Sequence, residues 1–226
     1  MSRIAPGITL VAGSKISNSF IVEGDDGLTL VDVGTGKAVG EVLRAIDSLG
    51  RKPADVRRIV VTHAHPDHVQ GVPELREKTD ATVLIHHADA AWLPNGRVPS
   101  DGRSGLGARN FDRLASAHWT PFKADETVDD GALIEGAGLR VIHTPGHSPG
   151  HIVLLHEPTR TVLVGDAVFH NNKIDLGPAG FAADPDSRGS GAARIPTDIA
   201  AVGFAHGKPL TDGAVEPFVA FLGKLG

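Results

Sequence analysis

The sequence predicts an α/β chain in which short strands give way to helices twice over, and three observations carry that expectation. Residues 1–32 hold three apolar, β-branched runs, Ile8–Val11, Ser19–Val22 and Leu28–Asp32, the last two joined by the turn-forming Gly24-Asp25-Asp26-Gly27. They read as an opening antiparallel meander. Ala38–Leu49 then carries Val39, Val42, Leu43, Ile46 and Leu49 at the spacing of one helix face, and Gly50 stops it. The same order returns later in the chain. Thr127-Val128, Ala132–Ile134, Leu139–His143, Ile152–His156 and Thr161–Val164 read as strands, and Val215–Leu225 as a closing helix.

The elements between follow from the same signals. Pro53-Ala54-Asp55 leads into Arg58–Val61, a buried-strand pattern, and Val69–Thr79, with Val72 and Leu75 among its charges, reads as an amphipathic helix. Thr82–His86 is a further strand, followed by a short helix over His87–Trp92. Pro94–Asn110 is rich in Gly, Pro, Arg and Ser with almost no apolar periodicity. It reads as a mobile loop, long enough for a substrate lid whose Arg97, Arg103 and Arg109 would meet an anionic group. Phe111–Trp119 reads as helical, and Asp129-Asp130-Gly131 as a turn. Asn171–Ser190 is loop-like, with Asp184-Pro185-Asp186 capping a helical segment through Ala193. No internal repeat or linker divides the chain, so residues 1–226 are expected to form a single domain.

Bulk properties narrow the function classes. A chain of 226 residues with 41% hydrophobic content can bury a sizeable core, and no apolar run approaches a membrane span. A net charge of −5 without a long basic run argues against nucleic-acid binding. Cysteine is absent, which excludes disulfides and thiolate ligands. Met1–Gly13 shows no signal-peptide pattern, so the expected location is cytoplasmic. Twelve histidines stand beside no tyrosine at all, a balance that assigns some of them work beyond packing.

Thr62-His63-Ala64-His65-Pro66-Asp67-His68 is where that work concentrates. It sets three histidines and a carboxylate between a strand end and a helix start, reading H-x-H-x-D-H. Imidazole nitrogen and carboxylate oxygen are the donors that zinc and similar divalent ions take. Residues two apart on an extended segment point the same way, so His63 and His65 can hold one ion while Asp67 and His68 face a second. Three other strand ends carry a candidate ligand next to Gly or Pro: His147, Asp166 and His206. In the full set, His63, His65 and His147 bind one ion, Asp67, His68 and His206 the other, and Asp166 bridges both. Two ions about 3.5–4 Å apart can share a water and bring its pKa toward neutrality, which makes a hydroxide nucleophile.

With these motifs in hand, the chain resembles the metallo-β-lactamase-fold hydrolases, in particular their compact glyoxalase II-like branch. The matching landmarks are Leu30-Val31-Asp32-Val33-Gly34, THAHPDH at 62–68, TPGHSPGH at 144–151, GDAVF at 165–169 and AHGKPL at 205–210. They stand in the family's order and cover nearly the whole chain. The resemblance implies a four-layer αββα sandwich of two mixed β-sheets with the metal site at one edge. It also implies hydrolysis of an ester-type carbonyl, in a thioester or lactone, by a hydroxide held between two divalent ions, zinc with iron or manganese as alternatives. Asp67 would then both bind metal and orient the nucleophile.

The chain also departs from parts of that family. Ala205 stands where the family's last landmark usually has glycine, which leaves the local turn less defined. The absence of cysteine excludes the β-lactamases with a cysteine ligand, and Asp166 argues against those that use only His and Asp. Only about twenty residues follow His206, so the glutathione-gripping helical domain of full-length glyoxalase II is not expected, and no tyrosine is available to sit over a lactone carbonyl. The rival enzyme reading is a persulfide-dioxygenase-like mononuclear iron site, which would leave Asp67, His68 and His206 without an ion; a closed structural metal site of a binding protein is smaller than this set.

The remaining histidines separate by context. His143 and His151 flank His147 and read as loop supports, and His170 is a candidate for a group facing the cleft. His86, His87, His118 and His156 fall into no pattern. Asp32 ends a strand near the site, where it can orient a ligand or simply form a turn. The expected partner is a small-molecule substrate, with no nucleic acid and no membrane, in a monomer or homodimer.

Overall fold

The computed structural model describes residues 1–12 and 16–225. The first half of the chain forms a seven-stranded sheet in sequence order, β1 (Ser2–Ala5), β2 (Ile8–Val11), β3 (Ser19–Gly24), β4 (Gly27–Val31), β5 (Val56–Val61), β6 (Thr82–His86) and β7 (Glu126–Val128). Pairing is antiparallel from β1 to β4 and parallel from β4 to β7. Parallel neighbours need a crossover, and helices supply it. They are α1 (Val39–Ser48) before β5, α2 (Pro66–Val69) and α3 (Val72–Thr79) before β6, and α4 (His87–Ala90) and α5 (Leu106–Phe111) before β7.

The second half adds β8 (Leu133–Ile134), β9 (Leu139–His143), β10 (Ile152–His156) and β11 (Thr161–Leu163). A small hairpin of β12 (Phe169–His170) and β13 (Ile174–Asp175) follows, then α6 (Arg188–Ala192), β14 (Ala201–Gly203) and α7 (Glu216–Leu222). The second sheet runs β14-β11-β10-β9-β8, with β14 parallel to β11 and the rest antiparallel. Two mixed sheets flanked by helices give the four-layer αββα sandwich.

Strand alternation shows why the layers stack this way. In β3, Phe20 and Val22 join the core between the sheets while Ile21 joins the core under the helices of the first half; in β5, Val60 goes inward and Ile59 and Val61 outward. In β10, Leu154 packs between the sheets, whereas Val153 and Leu155 pack outward with Phe204, Phe218 and Leu222. Every central strand is therefore apolar on both faces, which is the signature of a sheet covered on both sides.

Three local expectations need correction, and one strand and one turn go beyond them. The helix read over Val69–Thr79 is broken at Gln70-Gly71. Pro73 lacks the N–H that a continuous helix would need, and a Cβ at Gly71 would meet Val33 Cγ1 at 2.6 Å. The helix read over Phe111–Trp119 lies earlier, at Leu106–Phe111, with a single 3₁₀ turn at Ala115–Ala117 after it. Pro94–Asn110 is not free chain. Ser104 and Gly105 N–H groups donate to the carbonyls of Ala182 (2.7 Å) and Gly180 (3.0 Å), and Trp119 N–H donates to Gly96 (2.9 Å). Finally, Ser2–Ala5 is an edge strand with only Ile4 buried, too little alternation to read locally. The Asp129-Asp130-Gly131 turn forms as expected and carries the chain from the edge of one sheet to the edge of the other.

Candidate metal centre

Four strand exits converge on one place. β5 delivers Thr62–His68, the β9–β10 connection delivers His147, the end of β11 delivers Asp166 and the end of β14 delivers His206. Glycines make two of these turns possible. Gly165 has φ +51°, and a Cβ there would meet His151 Nε2 at 2.7 Å; Gly207 has φ +115°, and a Cβ would meet the His170 carbonyl oxygen at 1.8 Å. Ala205, by contrast, needs no glycine: it is buried at negative φ, and its carbonyl accepts from Asn18 N–H at 2.8 Å. Asn18 completes the clamp, donating from Nδ2 to the carbonyls of Phe204 and Gly207, each at 2.9 Å.

The structure brings together all seven residues expected from the sequence. Three groups have ligand-type atoms within 4.8 Å of one another: His63, His65 and His147; His63, His68 and Asp166; and Asp67, His68 and His206. Asp166 reaches both sides. Its Oδ2 lies 3.2 Å from His147 Nε2, and its Oδ1 lies 3.2 Å from both His68 Nε2 and His206 Nε2. Asp67 Oδ2 is 3.3 Å from His206 Nε2 and 3.7 Å from His68 Nε2.

Hydrogen bonds behind the rings decide which nitrogen faces inward. His68 Nδ1 donates to Asp32 Oδ2 (2.8 Å) and His206 Nδ1 donates to the Ile16 carbonyl (2.9 Å). Thr62 Oγ1 donates to Asp32 Oδ2 at 2.8 Å, so it accepts from His63 Nδ1 at 3.0 Å. All three rings therefore turn Nε2 to the centre. A fit test follows. Buried polar atoms are nearly always paired, yet His63 Nε2, His65 Nε2, His68 Nε2 and Asp166 Oδ1 have no hydrogen-bond partner. Unpartnered nitrogen and oxygen donors of this kind, concentrated in one cluster, fit a divalent metal pair.

Electrostatics divide the cluster. Burial drives the His63 and His65 imidazoles well below the usual histidine range, and His68 and Arg103 respectively push the same way. Burial acts likewise on His68 and His206 but loses. Asp166, Asp32 and Asp67 hold His68 well above its ordinary value, and Asp166 with Asp67 lifts His206 to about 10. Burial would raise the carboxyls of Asp67 and Asp166, but the neighbouring imidazoles keep both below the usual range.

Asp32 sits at φ +55°, a left-handed turn, and also accepts Thr62 N–H at 2.8 Å, so it forms a turn and orients a ligand-type ring at once. His151 supports rather than points in: its Nε2 accepts Asp166 N–H (2.9 Å). His143 Nε2 donates to the Pro149 carbonyl at 2.8 Å. His170 turns away, donating from Nδ1 to the Lys208 carbonyl (2.7 Å), and its strand neighbour Phe169 takes the cleft side, stacked on His206 with centroids 4.4 Å apart. His86 is buried, accepting from Ala88 N–H; the exposed His87 pairs with Asp129, His118 meets the Asp112 carbonyl and His156 meets Thr159.

One residue lies outside the expectations for the site, and a second has a different part in it than expected. Asp89, fully buried in α4, accepts from Ala64 N–H (3.0 Å), Ser148 Oγ (2.6 Å) and Gly150 N–H (2.6 Å), and so ties the H-x-H segment to the loop that bears His147. Its only local signal is a carboxylate just past the strand beside β5. Arg103 was foreseen as a lid residue, but it is buried. Its Nε donates to Asp112 Oδ2 (3.0 Å) and its Nη1 to the Phe181 carbonyl (2.7 Å), and the same Nη1 lies 3.2 Å from His65 Nδ1. With Phe111, Phe169 and Phe181 it lines a cleft of about 400 Å³ that opens onto His65, Asp67, His147, Asp166 and His206. Arg97 and Arg109 lie elsewhere, so the three arginines do not act together.

Comparison with known proteins bears on this cluster. The pattern of the Metallo-beta-lactamase superfamily matches residues 12–208. The probable metallo-hydrolase YybB of Bacillus subtilis (strain 168) is 31% identical over 159 residues, 70% of this chain and 64% of that protein. The acyl-coenzyme A thioesterase MBLAC2 of Gallus gallus is 28% identical over 74% of this chain and 63% of its own length. The chain thus spans less than two thirds of these relatives. Among solved structures, a Cronobacter sakazakii metallo-beta-lactamase with a HARLDQ motif superposes with a TM-score of 0.75 at 21% identity, over 99% of this chain and 91% of that one. That likeness speaks for the fold.

Proposed function

The chain belongs to the metallo-beta-lactamase superfamily, and from that membership we propose that it is a binuclear metal-dependent hydrolase of the glyoxalase II-like branch, using zinc, that opens a thioester or lactone carbonyl. The observation that carries the proposal is Asp166, whose two carboxylate oxygens approach imidazoles of both groups at 3.2 Å. His63, His65 and His147 would hold one ion, Asp67, His68 and His206 the other, and Asp166 would join them. When bound, the ions supply Lewis acidity and an activated water for hydrolysis.

The chain's own residues do the rest. Asp67, a quarter exposed and lining the cleft, would accept a proton from the attacking water and orient it. Arg103, its charge paired with Asp112, donates from Nη1 toward His65 and to the Phe181 carbonyl and so fixes the cleft wall beside His65. Phe111, Phe169 and Phe181 give the acyl part an apolar wall and thin the water around the reacting carbonyl. A relative named as a thioesterase supports the thioester class. No helix among the described residues is long and apolar enough to cross a membrane.

A hydrolysis screen over thioesters, lactones, β-lactams and phosphodiesters, run with elemental analysis of the same preparation, tests this reading. The expected result is about two equivalents of divalent metal and turnover of a thioester or lactone. A single iron that zinc loading does not change, with oxygen uptake on a persulfide, overturns it.

A further inference from the structure

Helix α5 separates two cavities. On its inner side Phe111 faces the metal cleft. On its outer side Arg109 lines a second cavity of about 590 Å³, together with Arg97, Arg113, Asn95, Ser100 and Asp112. That volume falls in the range of small-molecule sites. Asp112 contributes no free charge there, because it is buried and both its oxygens are taken by Arg103, at 3.0 and 3.3 Å. Arg109 spends only its Nε, donating to the Arg103 carbonyl at 2.7 Å. Among the described residues Arg97 and Arg113 have no ion pair or side-chain hydrogen bond, and all three arginines are exposed.

Three unneutralised guanidiniums around one concavity stand out in a chain of net charge −5. Arginine's planar fork matches the oxygens of a phosphate, and several forks on one wall suit a group with more than one negative charge. An extended polyanion fits poorly, since beyond this cavity the chain as a whole carries a net charge of −5. The two cavities are also coupled through one ion pair, because Asp112 lines the outer one and grips Arg103, which lines the inner one.

We propose that the outer cavity is a subsite for the phosphate groups of a thioester's carrier, held by Arg97, Arg109 and Arg113 while the acyl end lies in the metal cleft. The inference rests on the thioesterase reading of that cleft and adds a substrate class to it: acyl thioesters of a phosphorylated, nucleotide-bearing carrier.

The test uses the metal-loaded full chain and the double variant Arg97→Ala/Arg113→Ala, whose residues are exposed and carry no structural bond; Arg109 is left intact because it holds the Arg103 backbone. Hydrolysis of acetyl-coenzyme A is compared with that of S-acetyl-N-acetylcysteamine, the same thioester without phosphates. The variant should raise KM for the phosphorylated substrate about tenfold with kcat within about twofold, and leave both constants for the phosphate-free one unchanged. Titration with adenosine 3′,5′-bisphosphate, read by calorimetry, should show binding to the wild type that weakens about tenfold in the variant and falls with added salt. If neither thioester is cleaved but the bisphosphate still binds through these arginines, the thioesterase reading fails and the phosphate site stands. Equal bisphosphate binding by both proteins, or equal KM for acetyl-coenzyme A, overturns the subsite.

Discussion

The two halves of the ligand cluster touch each other through Asp166, yet they are built on opposite principles. His63, His65 and His147 are all buried and bring no carboxylate of their own; burial holds the first two neutral. Asp67, His68 and His206 are open on one side and bound together by opposite charges, which keep the imidazoles protonated when no metal is present. Two buried carboxylates stand behind the halves, and Asp32 also reaches His63 of the first through Thr62. Asp89 braces the first through the backbone at Ala64 and Gly150, and Asp32 braces the second directly through His68 Nδ1. The first half is thus ready for a cation as it stands, whereas the second must exchange protons for one.

The largest expected break in this arrangement is Asp166→Asn. It removes the charge that both halves share, and kcat/KM should fall by at least about a hundredfold, with metal content dropping from two equivalents toward one. Elemental analysis and steady-state kinetics check it, and two retained ions with full activity would place Asp166 outside the site. Next come the two braces, which sharpen the contrast. Asp32→Asn should lower affinity for the second ion about 10- to 100-fold and that for the first by less, because Asp32 meets His68 directly but His63 only through Thr62. Asp89→Ala leaves three donors unpaired in the interior and should lower unfolding stability by about 3 kcal/mol, with metal loss from the first half. Chelator titration followed by thermal or denaturant unfolding separates the two outcomes.

A smaller effect follows pH. The His206 pKa, raised to about 10 in the metal-free protein, means that a proton must leave at neutral pH before the ring can take a metal. Metal binding by the second half therefore releases protons, and its affinity should rise with pH up to about 10, roughly tenfold per unit for each proton displaced. His63 and His65, which burial holds neutral, should contribute little to that dependence. Calorimetry in buffers of different ionisation enthalpy counts the protons, and no release on binding the second ion would contradict the contrast. The mildest change is Phe169→Leu, which removes the ring stacked on His206 but keeps an apolar wall; kcat/KM should fall about two- to fivefold, with the metal content unchanged.

Much of this was determined by the sequence alone. The seven ligand-type residues are chemically distinctive and stand at strand ends, and the alternation in β3, β5 and β10 already encodes two sheets apolar on both faces. Local periodicity and donor chemistry are properties of consecutive residues, so they are legible without a structure. The tertiary structure alone decided which groups meet across long stretches of chain. Asp89 reaches Ser148 and Gly150, Asn18 clamps the turn around His206, and Arg103 folds inward onto Asp112 and His65 while Arg97 and Arg109 face the other cavity. The exchange of His170 for Phe169 at the cleft is of the same kind, because a one-residue step on a strand reverses the side chain, and only the packing of the β12–β13 hairpin against the Gly207 turn selects which residue faces the metal centre.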